Sequence, residues 1–96
     1  MIVEIDSLLL RTPNIRDGRP LIAGTGITVH RIATWYKLGH SAEEITRRYG
    51  HLTVAQVYAA LAYYHANQTA IEADLASDEA QAEHLEAEYN DQLQAA

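Results

Sequence analysis

Seven fixed positive charges are the first clue to chemistry in this sequence, and Arg11, Arg16, Arg19, Arg31, Lys37, Arg47 and Arg48 all fall in its first half. Arginine grips phosphate oxygens, and polar side chains beside it can read base edges. Arg47 and Arg48 stand just ahead of His51, Thr53 and Gln56. With Arg19 and Arg31 adding positive surface, these seven residues form the candidate DNA-contacting set. The remainder of the chain argues the other way. Residues 1–50 carry a net charge of +2 and residues 51–96 a net −8, with no Lys or Arg after Arg48. A recognition helix without one basic residue is poorly equipped to hold phosphates.

Other chemistries lack their parts. Ser7, Ser41 and Ser77 have no nucleophile context, and Glu43-Glu44 is explained by a helix start. Gly24-Thr25-Gly26 is too short for a phosphate loop and lacks its Lys. His30, His40, His51, His65 and His84 form no cluster; the nearest arrangement, His84 with Glu88 one turn on, is ordinary on a solvated helix. The expectation is therefore a non-enzymatic protein with no metal and no cofactor.

Two helix-start signatures position the candidate residues. Ser41-Ala-Glu-Glu44 and Thr53-Val-Ala-Gln56 are capping boxes, and Tyr49-Gly50-His51-Leu52 between them supplies a tight turn with Gly at the helix stop. Together they spell a helix-turn-helix. Before it, Thr28 caps a helix with Val29, Ile32, Ala33, Trp35, Tyr36 and Leu38, stopping at Gly39. After it, Val54, Val57, Leu61 and Tyr64 recur at helical spacing until Asn67 interrupts the pattern and can cap a fresh helix. That last helix carries Ile71, Leu75, Ala82, Leu85, Tyr89 and Leu93 as a narrow stripe in an acidic surface, with Ser77-Asp78 as a second candidate break. Such a stripe needs another helix or a partner's groove to cover it.

At the N-terminal end, Ile2, Leu8, Leu9 and Leu10 and then Leu21-Ile22-Ala23 read as two short strands around the turn residues Pro13, Asp17-Gly18 and Pro20. Two strands leave open edges, so the arm is expected to pack on the helices or to pair with the arm of a second subunit, the second being favoured. The expected organisation is one mainly α domain: an N-terminal β arm (1–28), a helix-turn-helix core (29–66) and an acidic C-terminal helix or tail (67–96). Ninety-six residues, about half apolar, allow one modest core. No cysteine is present, which suits a reducing cytoplasm. No apolar run has membrane-spanning length, and acidic Glu4 and Asp6 stand where a signal peptide needs basic residues.

The run from Asp17-Gly18-Arg19-Pro20-Leu21-Ile22-Ala23-Gly24-Thr25-Gly26 to Val29, followed by Gly39-His40-Ser41 and Tyr49-Gly50-His51-Leu52-Thr53, resembles domain-of-unknown-function family 433. The likeness spans about Pro13 to Leu75. One position departs, since family members usually carry Arg where this chain has Gly26. The resemblance implies small antitoxin-like proteins of VapB type, a homeodomain-like fold with a β arm, and pairing with a PIN-like ribonuclease toxin. On that footing the expected function is neutralisation of such a toxin by the acidic C-terminal helix, with Ile71, Leu75, Leu85 and Tyr89 as partner-binding residues. Two alternatives stand beside it: a homodimeric regulator binding operator DNA, and a structural dimerisation module using the β arm and the Trp35 helix.

Overall fold

Thr28, Ser41 and Thr53 each begin a helix in the computed structural model, which describes residues 2–13 and 16–95. The Thr28 hydroxyl accepts from the Arg31 amide at 3.0 Å and opens α1 (Val29–Lys37). Ser41 and Glu44 exchange reciprocal bonds of 3.1 and 3.2 Å at the start of α2 (Ala42–Tyr49). Thr53 and Gln56 do the same at 2.8 and 3.2 Å for α3 (Val54–Ala66). Each cap satisfies amides that a helix start leaves orphaned, which is worth about 1 kcal/mol.

Gly39 ends α1 as its type predicts. At φ 100° it lets the His40 amide bond back to the Trp35 carbonyl and its own amide reach Tyr36, the Schellman arrangement. The His40 and Trp35 rings then meet edge to face at 5.5 Å, the apolar contact that commonly accompanies this stop.

Two readings of the last third need correction. Asn67 does not cap a new helix with its side chain; its amide group donates to the Tyr63 carbonyl at 3.0 Å and terminates α3. Only its backbone carbonyl, accepting from Ile71, belongs to the next helix. Nor does Ser77-Asp78 break that helix, because α4 (Gln68–Ala95) runs through it unbroken for 28 residues. At about 1.5 Å per residue, α4 is about 42 Å long, and it accounts for a Cα envelope of 62 × 29 × 25 Å.

The arm is smaller than its sequence suggested. Strand β1 (Leu9–Leu10) pairs antiparallel with β2 (Leu21–Ile22), Leu9 opposite Ile22. Ile2 lies outside the strand, and Ile5–Leu8 form a 3-10 turn because the Ser7 amide and hydroxyl both bond to the Glu4 carbonyl. Beyond β2, Gly24 at φ 78° turns the chain, and the Thr25 hydroxyl clamps the turn by donating to Ile22 and accepting from Ile27. The strand thereby bridges Thr28 on its other side. The arm packs on its own chain, with Leu9 against the core, while the outer edge of β1 stays unpaired among the described residues. Asn14 and Ile15 of the expected turn lie outside the described residues.

The protein is mainly helical, with four α-helices and this small sheet among the described residues. α1, α2 and α3 pack on one another around Ile22, Val29, Ile32, Ile45, Val57 and Tyr64, and Ile71 of α4 closes the same cluster. Tyr64 is the largest fully buried side chain, and its phenol donates to Glu72 at 2.8 Å. Burial first, then that hydrogen bond, push its pKa up to about 12 from 10.0. The fold favours the neutral phenol, so its contribution is complete below pH 10 and is lost as pH rises towards 12. The thermal midpoint is expected to fall across that interval, and Tyr64→Phe to flatten the fall. No described helix is long and apolar enough to cross a membrane.

Candidate functional site

The acidic helix has two environments, divided near Asp78. On its inner half, Ile71 is buried at 3% exposure and Leu75 is half-buried against the core. Carboxylates finish the docking. Asp78 takes both guanidinium nitrogens of Arg19 at 2.8 and 3.0 Å, Asp74 accepts from the buried His30 Nε2 at 2.8 Å, and Glu72 meets Tyr64 and, at 3.4 Å, Lys37. Because an ionised carboxylate can only accept, the His30–Asp74 bond places the imidazole proton on Nε2. The Nδ1 atom is buried without a partner among the described residues.

These contacts reassign three residues. Ile71 and Leu75, expected at a partner, face the chain's own core, since an apolar side chain lying over the α3 packing surface gains more by burial there than by waiting for a partner. Arg19, expected at DNA, spends its fork on Asp78. That pair holds the Asp78 carboxyl below its ordinary value, chiefly through the hydrogen bond, and Tyr64 does the same for Glu72. A depressed carboxylate contributes above its unfolded pKa and loses that contribution as pH falls through the lowered value. Acid should therefore loosen α4 below the ordinary carboxylate range, and Asp78→Asn should flatten the acid limb of a stability profile.

The outer half of α4 is different in kind. Every side chain from Glu79 to Leu93 is exposed. Leu85 at 64%, Tyr89 at 61% and Leu93 at 59% exposure recur at four-residue spacing and so share one face. Glu79, Glu83, Glu86, Glu88 and Asp91 surround them with no Lys or Arg; His84, 3.0 Å from Glu88, is the nearest potential cation.

The basic surface lies on α1 and α2. Arg31, Arg47 and Arg48 are exposed and have no carboxylate partner within salt-bridge distance among the described residues. Arg48 sits over Trp35, its guanidinium carbon 4.1 Å from the ring centroid, and Trp35 in turn donates to the Tyr49 hydroxyl at 2.8 Å. Such stacking is worth about 0.5–1 kcal/mol at an exposed site and orders the guanidinium. His51 is exposed beside Tyr49.

Base reading by α3 is thinner than its sequence implied. A bidentate contact with adenine needs both the oxygen and the nitrogen of Gln, and the Gln56 oxygen already accepts from the Thr53 amide. Thr53 likewise accepts from Gln56 and keeps only its hydroxyl proton to donate. The outward face of α3 beyond them shows Val54, Ala55, Tyr58 and Ala62, and Tyr58 donates to Glu43 at 2.9 Å. No group of metal-binding side chains occurs among the described residues.

Glu72, Asp74 and Asp78 hold the inner half of α4 in place, where the sequence reads as an acidic surface outside the apolar stripe. The spacing of Ile71, Leu75 and Asp78, four and then three, was the available signal that Asp78 continues the buried stripe.

Comparison with known proteins gives one consistent result. The family model described as "Protein of unknown function (DUF433)" matches residues 10–64. No curated protein matches. A solved structure, the crystal structure of a DUF433 member protein from Anabaena variabilis ATCC 29413, is similar with a TM-score of 0.68 and 26% identity, over 75% of this chain and 71% of that one.

Proposed function

This chain belongs to the DUF433 family, and from that premise we propose that it is a non-enzymatic, antitoxin-like protein whose outer α4 binds and neutralises a PIN-like ribonuclease. One observation carries the reading: Leu85, Tyr89 and Leu93 stand exposed on one face of a helix that has left its own domain. Solvent exposure of an aligned apolar row costs free energy that a partner's groove recovers. The carboxylates around the row select the kind of partner. A ribonuclease must present positive charge to RNA phosphates, and five carboxylates with no Lys or Arg among them complement such a surface. Two outer halves laid side by side would instead repel, which disfavours self-pairing of α4.

This reading also includes a cytoplasmic homodimer formed through the open edge of β1, near exposed Leu10. The test is a truncation after Ala80, which keeps Ile71, Leu75 and all three docking carboxylates. Mixed with a PIN-like ribonuclease, should its neighbouring gene encode one, the full chain should block RNA cleavage, and the truncated chain should fold yet fail to block. Neutralisation by the truncated chain would falsify the proposal.

A second reading has its own support. Unpaired Arg31, Arg47 and Arg48, with α2 and α3 taken as a homeodomain-like helix-turn-helix, suit an autoregulator bound mainly to phosphates. A salt-dependent shift of its own promoter DNA supports it; no shift at low salt removes it.

A further inference from the structure

Arg16 and Arg31 come from separate segments, yet they line one open cleft of about 420 Å³ beside the first turn of α1. Thr28, Gly26 and Tyr49 complete its wall, and Arg19, held by Asp78, forms one side. The chain brings Arg16 here through a turn in which Arg16, Asp17 and Gly18 all have positive φ, tied down by the Arg11 Nε bond to the Gly18 carbonyl at 2.8 Å. The guanidinium passes close above Gly26. A Cβ at residue 26 would sit 3.7 Å from Arg16 Nη2, in ordinary van der Waals contact, which places Gly26 directly beside that charge.

The lining is rich in donors. Arg16 and Arg31 have no carboxylate within salt-bridge distance among the described residues. Thr28 accepts from the Arg31 amide and Tyr49 from the Trp35 indole, so each hydroxyl keeps its own proton to give. The one opposing group is the Asp17 carboxylate on the wall. Two guanidinium forks and two hydroxyls match a tetrahedral oxyanion, and forked donors favour phosphate above other small anions. The positive end of α1 adds to the same field.

We propose that this cleft is a phosphate-binding site, taking the phosphate of a free nucleotide or of a nucleic-acid backbone. It uses no residue of the outer α4 and stands whether or not that helix binds a nuclease. The experiment is an NMR titration of the full 15N-labelled chain, at constant ionic strength, with inorganic phosphate, with adenosine monophosphate and with a short DNA duplex. Amide shifts should centre on Gly26, Thr28 and Arg31. The Arg16→Ala/Arg31→Ala chain should lose at least about tenfold in phosphate affinity, the scale of one charge-assisted bond. Arg31→Gln alone should weaken it in the same direction, and Lys37→Ala should leave it unchanged. Tighter binding of the nucleotide identifies a free ligand; tighter binding of the duplex identifies a backbone contact. No shifts at these amides with any of the three, or equal weakening by Lys37→Ala, would overturn the site.

Discussion

Replacing Ile71 with alanine will destabilise the protein by about 2–5 kcal/mol, the range for truncating a large buried aliphatic side chain in a packed core. Ile71 is 3% exposed and shares its cluster with Tyr64, Leu61 and Val57. Small domains hold only about 5–15 kcal/mol in total, so this one change removes a large share of the stability. Urea denaturation measures it through the midpoint. A residue waiting for a partner would give the opposite picture, with full stability alone and lost affinity in complex. The inner half of α4 is thus part of the fold, and the core extends past Ala66, where the helix-turn-helix pattern of the sequence stops.

Leu85→Ala and Tyr89→Ala will do the reverse. Both side chains are exposed, so the isolated protein should keep its melting temperature nearly unchanged. Binding to the nuclease should suffer heavily. Anchors of this kind cost about 2 kcal/mol or more on truncation, a loss of about 30-fold in affinity for each. Tyr89 should be the more costly of the two, because a tyrosine supplies a large, stiff contact surface. Calorimetric titration of each variant with the nuclease gives the numbers. Unchanged affinity in both would remove the row from the interface.

Local chemistry was what the sequence made legible. Thr28, Ser41 and Thr53 cap, and Gly39 and Gly50 stop, because each acts on backbone groups within five residues. Leu9–Leu10 and Leu21–Ile22 pair across a longer gap, and were legible as two apolar runs with turn residues between them. Long-range partners left almost no local trace. Arg19 and Asp78 are 59 residues apart, and His30 and Asp74 are 44 apart. Seen as a sequence, these carboxylates belong to an acidic solvated helix; in the fold they are clamps. Ser77-Asp78 reads as a break for the same reason, and Asp78's bidentate contact offsets its weak helix preference.

The candidate site divides along the same line. Exposed Arg47, Arg48, Leu85 and Tyr89 were identifiable from charge and periodicity. That Gln56 spends its oxygen on a cap is written in the Thr53–Gln56 capping box, whereas the reach of Arg16 over Gly26 follows only from three-dimensional placement.

Helix α4 is divided, docked as far as Asp78 and exposed beyond it. Amide hydrogen exchange along α4, for the chain alone and with the proposed ribonuclease partner, separates the two halves. Slow exchange is expected around residues 71–78 in both states, and fast exchange over residues 82–93 that becomes slow only in the complex. Protection of residues 82–93 in the isolated chain, or no gain in protection there when the nuclease binds, would contradict it.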